Sequence, residues 1–169
     1  MKLFNQARNY MTIAIVAGVA IIGLVFVPTV TAESETKIKH VKGDFTLQFH
    51  PPGPACQPWT GACLIGTATG DLAGDVFIRV NNSYLVEGSA RTVSVSNADI
   101  TINTSNGEIK GAAAGSLDRS SGEFHNVTSW VGGTGDYVQA TGFVRVDGFD
   151  TPAGVEHSSY EGDLILPKD

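Results

Sequence analysis

Alternating apolar and polar residues, repeated along most of the chain, constrain the fold more than any other feature of the sequence. In a β-strand successive side chains point to opposite faces, so a period of two indicates a strand with one buried face. The apolar positions that alternate in this way are Phe45, Leu47 and Phe49; Val76, Ile78 and Val80; Ile100 and Ile102; Val144 and Val146; and Tyr160, Leu164 and Leu166. Helical periodicity is not convincing anywhere, and an all-β domain is predicted.

Turn-forming residues separate these stretches at short intervals. They are rich in Asn, Asp, Ser, Gly and Pro, and they occur at residues 81–83, 105–107, 118–122, 132–136 and 148–154. Such spacing is typical of hairpins that follow one another in an antiparallel sheet. Both a sandwich and a closed barrel satisfy this pattern.

Glycine favours the barrel. Several of the 20 glycines lie inside strand-like stretches, where they allow the bends by which a sheet coils and closes: Gly66, Gly70, Gly74, Gly111, Gly115 and Gly142. A single antiparallel closed barrel is therefore predicted over residues 44–169.

The N-terminus has the layout of a secretory signal. Lys2 and Arg8 precede an uncharged apolar stretch, 11–27, and Val30-Thr31-Ala32 offers a cleavage site after Ala32. We expect residues 1–32 to be a signal peptide and 33–43 a linker. The alternative is an uncleaved membrane anchor, because the apolar stretch approaches the ~20 residues that span a bilayer. Both interpretations place the domain outside the cytoplasm, and only the second makes a membrane its partner.

Charge argues against a nucleic-acid partner. Removing the first 32 of 169 residues leaves 137, enough for one domain, with 9 Lys and Arg against 17 Asp and Glu, a net charge of −8. The basic residues cluster only in Lys37–Lys42, which lies in the expected linker. Such an acidic domain lacks the basic stripe that phosphate binding requires.

The two cysteines, Cys56 and Cys63, lie in a segment rich in Pro and Gly. In an oxidising compartment two nearby cysteines normally pair, so we predict a disulfide that fixes a local loop. A free redox pair and a metal site are the alternatives. The four histidines, His40, His50, His125 and His157, lack the spacing of a zinc site, and no metal or cofactor is expected.

Two segments give the chain a family resemblance. Gly66–Gly74 and Trp130–Gly142, the second containing Gly-Gly-Thr-Gly before an aromatic residue, resemble the allene oxide cyclase and dirigent barrels. The resemblance implies an eight-stranded, calycin-like barrel with a mostly apolar central cavity. Members of these families include cyclases of fatty-acid epoxides, proteins that guide phenoxy-radical coupling, and proteins without known activity. No catalytic residue of the families can be matched to a position of this chain.

Other motifs favour structural interpretations. The glycines of 132–135 suit a turn, since the Lys of a P-loop and the third Gly of a dinucleotide site are missing. Asp71 and Asp136 each follow Thr-Gly and are expected to cap turns. Glu123 and His125 share one strand face; they form an acid–base pair if that face is internal, but Phe124, Asn126, Thr128 and Trp130 offer the better internal face.

The contents of the barrel interior distinguish between three possible functions. Gly111–Gly115 carries small side chains on both strand faces, which leaves room for a ligand unless large neighbours fill it. The expected ligand-binding residues are Tyr160, Leu164, Leu166, Ile100, Ile102, Val144, Val146 and Trp130, with the Tyr160 hydroxyl as polar group. A wholly apolar cavity favours binding of a small apolar or aromatic ligand, a convergent carboxylate or histidine favours a cyclase or isomerase, and a packed interior favours a structural envelope domain.

Overall fold

The computed structural model describes residues 36–86, 88 and 93–168. The predicted signal segment, 1–32, lies outside the described residues. The strands are β1 (Thr36–His50), β2 (Cys63–Ala68), β3 (Gly74–Leu85), β4 (Val93–Thr104), β5 (Gly107–Asp118), β6 (Glu123–Gly133), β7 (Thr141–Asp150) and β8 (Val155–Pro167). Short 3₁₀ turns span Pro54–Cys56, Gly70–Leu72 and Gly135–Tyr137. No helix among the described residues is long and apolar enough to cross a bilayer.

The eight strands form one closed barrel. Each strand pairs antiparallel with the next along the chain, and β8 pairs with β1 from Thr36↔Pro167 to Gln48↔Val155. Each of the eight described strands therefore has a paired strand on both sides over at least part of its length, which limits edge-to-edge aggregation. The predicted all-β, eight-stranded antiparallel barrel is confirmed.

Two glycines show why the sheet can coil so tightly. A Cβ on Gly66 would collide with the carbonyl oxygen of Thr46 on β1, and a Cβ on Gly162 would collide with that of Phe143 on β7. The neighbouring strands therefore approach more closely than a side chain permits. Between Lys110 and Gly111 the pairing of β5 with β6 also shifts register, which adds local twist.

Strand β1 begins earlier than the sequence indicates. The expected linker, 33–43, is wrong from Thr36 onward, because these residues pair with β8. Among residues 36–43 only Val41 is buried, while its neighbours remain largely exposed. His40 lies 3.1 Å from both Asp163 and Glu161 on β8. This half of the strand is therefore held by backbone pairing with β8 and by polar side-chain contacts. Neither kind of contact requires alternating apolar residues, so the sequence does not reveal this part of the strand.

Two similar 3₁₀ turns close one end of the barrel. Gly70–Leu72 and Gly135–Tyr137 each follow a threonine with extended backbone, and Leu72 and Tyr137 are buried against the core. The Asp71 carboxylate accepts a hydrogen bond from the Lys42 backbone N–H at 3.0 Å. Asp71 thereby joins its turn to β1, but neither 3₁₀ turn has a side-chain cap hydrogen bond, so the turn capping predicted for Asp71 and Asp136 is not observed. Thr36 and Pro167, the first and last residues of the sheet, also lie at this closed end.

The opposite end is the mouth, where β1, β3, β5 and β7 end. The segment that follows β1 contains the Cys56–Cys63 disulfide, with Cα atoms 5.7 Å apart, as predicted. Both cysteines are buried. Trp59 Nε1 donates a hydrogen bond to the Ala62 carbonyl oxygen at 3.1 Å, and the Arg79 guanidinium lies 5.8 Å from the Trp59 ring. The loop is therefore held in place at the rim.

Candidate functional site

The barrel interior consists of a packed half and an open half. Near the closed end the core is filled by buried apolar side chains: Val41, Leu72, Val76, Ile102, Ile109, Trp130, Tyr137, Val144 and Leu164. Seven of the eight predicted inner residues are buried, and Leu166 packs against the core while partly exposed. The alternation therefore identified the inner face correctly.

The open half contains a cavity of about 340 Å³. Its volume lies at the lower end of the range of roughly 300–1,000 Å³ typical of small-molecule sites. Its apolar walls come from Phe45, Leu64, Ile78, Ile100, Phe124 and Val146, and small residues on β4 and β5 complete them: Ala98, Ala113, Ala114 and Gly115.

The cavity exists because β5 fills little space. Ala98 on β4 pairs with Ala113 on β5, so two methyl groups stand where larger side chains would meet. Nearer the closed end, the Trp130 ring occupies the space that a Cβ on Gly111 would need, and the lumen is filled there. Large neighbours therefore fill one half of the lumen, as one expectation held, and the other half stays open.

Of the predicted ligand-binding residues, the structure brings two to the cavity wall. Ile100 and Val146 line it. The other six, Tyr160, Leu164, Leu166, Ile102, Val144 and Trp130, are absent from that wall and belong to or pack against the core. Contact with a ligand thus stays a prediction for Ile100 and Val146.

Two carboxylates that the sequence did not single out line the cavity. Asp150 ends β7 and Glu156 lies near the start of β8, and the two are direct cross-strand partners on the inner face. Glu156 is only 9% exposed. Its Oε1 accepts a hydrogen bond from Ser158 Oγ at 3.1 Å. Acidic residues directly opposite each other destabilise a strand pair, so this arrangement is unusual for a purely structural site.

Burial changes the proton affinity of both groups. Desolvation raises the pKa of Glu156 to about 7, the negative charge of Asp150 adds to the rise, and the Ser158 hydrogen bond opposes it. Desolvation also raises the pKa of Asp150. Near neutral pH, Glu156 can therefore either give or take a proton, which makes it the group best suited to acid–base chemistry in the lumen.

Tyr160 is not available as the polar group of a ligand site. Its hydroxyl donates a hydrogen bond to the Thr69 carbonyl oxygen at 2.7 Å and accepts one from the Leu72 backbone N–H at 2.8 Å. Burial raises its pKa to about 12. The expected role of this hydroxyl is therefore replaced by a structural one: it holds the turn that closes the barrel against β8.

A wider vestibule adjoins the cavity at the mouth. It has a volume of about 440 Å³ and shares Phe49, Ser83, Ser94, Leu117 and Asp150 with the cavity. Its rim is partly apolar, with Tyr84 63% and Phe49 45% exposed. Arg119, in the turn after β5, also lines the vestibule. A ligand can therefore reach the carboxylate pair from solvent through this end.

The other acid–base candidate faces solvent. His125 is largely exposed and its Nδ1 lies 2.7 Å from the Asp147 carboxylate on the outer face of β7. Glu123 is exposed, whereas Phe124, Thr128 and Trp130 are buried. Glu123 and His125 are thus outside the barrel, as the favoured interpretation held.

Asp150 and Glu156 can be placed on the inner face by counting in steps of two along their strands. Asp150 follows Val144 and Val146 in steps of two, and Glu156 precedes Tyr160 in the same way. Extending each inner face to its strand end places both acids inside. Charged side chains usually face solvent, so the alternation of apolar residues alone does not point to these two acids.

Within residues 36–86, 88 and 93–168, no three His, Cys, Asp or Glu side chains are grouped so that they could hold a metal ion. No protein-family model and no curated protein sequence matches the chain.

Proposed function

We propose that this protein is an exported barrel that binds a small, mainly apolar or aromatic ligand in the open half of its lumen. The observation that carries the proposal is the cavity of about 340 Å³ between apolar walls, reached through the vestibule. Filled interiors are the norm in small barrels and packing is otherwise dense, so an open apolar space that large favours an occupant.

A neutral fluorescent probe tests the proposal. N-phenyl-1-naphthylamine is small, apolar and emits strongly only out of water, so binding in the lumen should raise its emission. Ala113→Leu places a larger side chain in the cavity and should weaken binding at least about tenfold. Ala112→Leu adds the same side chain to the exposed face of the same strand and should leave binding unchanged.

Melting temperatures of both variants show whether each still folds, and Ala98→Leu repeats the test from the neighbouring strand. Equal affinity of the parent, Ala113→Leu and Ala98→Leu would mean that the probe binds elsewhere. Absence of any binding by the parent would count against the proposed function.

The carboxylate pair favours a second candidate, a cyclase or isomerase like those of the allene oxide cyclase barrels that the sequence resembles. Glu156 lies against an apolar wall with a pKa near neutrality, which is the arrangement expected of a general acid or base. Incubation with the methyl ester of an unsaturated fatty-acid epoxide, which carries no carboxylate, should then give a cyclic product faster than the spontaneous reaction. Glu156→Gln should remove that acceleration, and a rate equal to the spontaneous one in the parent protein would reject this candidate.

Export is supported by the disulfide at the mouth, because such bonds persist in oxidising compartments. Protein recovered from the exported fraction should be lighter than the fully reduced chain by the mass of two hydrogen atoms. Free thiols in that fraction would contradict export to an oxidising compartment.

A further inference from the structure

The ligand's polar group can be inferred from the charges at the cavity wall, given the proposed function. Asp150 and Glu156 stand opposite each other on β7 and β8. They are the charged side chains among the residues that line the cavity in the described part of the chain. Two partly buried acids in one apolar site create a negative potential that a bound cation relieves.

The described residues supply no such cation. Within residues 36–86, 88 and 93–168 neither carboxylate is in an ion pair with Lys, Arg or His. Arg119 lines the vestibule together with Asp150 but does not line the cavity. His157 packs against Phe149, 5.5 Å between ring centroids, on the face of β8 opposite to Glu156.

The remaining polar side chains that line the cavity are neutral: Asn126 and Thr128 on β6, the neighbour of β7, and four serines on strands across the barrel from the acids. Ser83, Ser94, Ser96 and Ser116 lie on β3, β4 and β5 and contribute hydroxyls to the cavity. The Ser158 hydroxyl beside Glu156 uses its proton on Oε1 and so adds no positive charge. A carboxylate head on a ligand would therefore meet repulsion at Asp150 and Glu156, and a neutral head would leave their charge uncompensated.

We propose that the lumen binds amphipathic amines, whose ammonium group lies between Asp150 and Glu156 while the apolar body packs against Phe45, Ile100, Phe124 and Val146. An ammonium donates up to three hydrogen bonds and can contact both carboxylates at once. The raised pKa of Glu156 fits this assignment, because a positive neighbour would favour its ionised form and release the proton.

Three matched probes test the assignment. The cationic 2-(1-naphthyl)ethylamine, the neutral 2-(1-naphthyl)ethanol and the anionic 1-naphthaleneacetate share an aromatic body and differ in the charge of the head. At pH 7.5 the amine should bind at least about tenfold more tightly than the alcohol, and the acetate most weakly. Calorimetry in phosphate and in Tris, which have different ionisation enthalpies, should show proton release when the amine binds, and none with the alcohol.

Glu156→Gln and Asp150→Asn should each lower amine affinity at least about fivefold and leave alcohol affinity unchanged. Glu123→Gln, the same change on an exposed position of β6, should alter neither. Equal affinity for amine and alcohol, or tightest binding of the acetate, would overturn the amine assignment while leaving lumen binding intact. If none of the three binds or displaces N-phenyl-1-naphthylamine, the proposed function itself fails, and the amine assignment fails with it.

Discussion

At the scale of single residues, the Tyr160 hydroxyl has the clearest structural task. The Tyr160 residue is buried, and its hydroxyl is hydrogen-bonded to the Thr69 carbonyl just before the turn Gly70–Leu72 and to the Leu72 N–H at the end of the turn. A side chain in this position joins β8 to the turn that closes the barrel. Its contribution is therefore to stability.

Tyr160→Phe should lower the free energy of unfolding by about 1–3 kcal/mol, because the Thr69 carbonyl and the Leu72 N–H both lose their buried partner. Chemical unfolding of the variant measures the loss. Tyr84→Phe, which removes an exposed hydroxyl at the mouth, is the control and should have no such effect. A Tyr160→Phe protein as stable as the parent, or one that has lost probe binding alone, would contradict the structural role.

Glu156 makes stability depend on pH. Its pKa rises from the ordinary 4.5 to about 7 in the folded protein, so the folded state holds the proton more tightly than the unfolded chain. The resulting stabilisation is fully present below pH 4.5 and is lost as the pH rises through 7, a change on the order of 3 kcal/mol. Glu156→Gln should flatten this part of the profile and be the more stable protein at pH 8. Urea unfolding at pH 5 and pH 8 checks this, and an unchanged pH slope in the variant would count against it.

The inner apolar residues could be predicted from the sequence, but the site residues mostly could not. Alternation identifies Ile100, Val146 and Leu164 as internal. It does not distinguish Leu164, which faces the packed core, from Ile100, which faces the cavity. That difference depends on which side chains meet across strands, such as Trp130 above Gly111. Asp150 and Glu156 violate the rule that charges face solvent, as functional residues often do.

At the scale of elements, β1 is the strand whose limits matter most. Its first residues complete the seam with β8, from Thr36↔Pro167 to Gly43↔Tyr160. Without them the C-terminal half of β8 keeps β7 as neighbour and presents an unpaired edge on its other side. Such edges invite pairing with another chain.

A chain that begins at Glu33 should therefore fold and melt cooperatively, whereas one that begins at Asp44 should aggregate or lose its β-type circular dichroism spectrum. The physical reason is the seam of backbone hydrogen bonds between residues 36–43 and β8. Size-exclusion chromatography and thermal melting compare the two. A monomeric, equally stable chain from Asp44 would mean that this half of β1 is dispensable.

The sequence predicts the limits of an element where apolar and polar side chains alternate, and it misses them where they do not. β4, β7 and β8 contain apolar residues on one face and were recognised by it. The first half of β1 and the 3₁₀ turn Gly70–Leu72 contain one buried side chain each, Val41 and Leu72. A single buried residue gives no periodicity, so only the pairing partner reveals such elements.

At the scale of the molecule, the barrel separates a packed half from an open half. The closed half contains most of the buried core, and the open half contains the cavity and the acids. Closed-barrel topology was predictable because the hairpin spacing indicates consecutive antiparallel strands and the strand glycines favour their closure, while the number of eight strands came from the family resemblance. The division of the lumen was not, since it arises from side-chain packing between strands distant in the sequence.

Two equivalent substitutions compare the halves. Leu164→Asp places a charge in the packed half and should cost more than about 4 kcal/mol, enough to unfold the domain. Leu64→Asp places the same charge on the cavity wall, which opens to solvent through the vestibule, and should therefore cost less than Leu164→Asp even though Asp150 and Glu156 line the same cavity. Thermal melting of both decides, and equal melting temperatures would contradict the division.

The pairing of Thr36 with Pro167 has a practical consequence for any sensor built on this domain. Both ends of the sheet emerge at the pole remote from the rim formed by Phe49 and Tyr84. A chip, bead or fluorescent fusion attached after Pro167 is therefore held on the side away from the opening. For the proposed lumen ligand, immobilised protein should show the same affinity as protein free in solution.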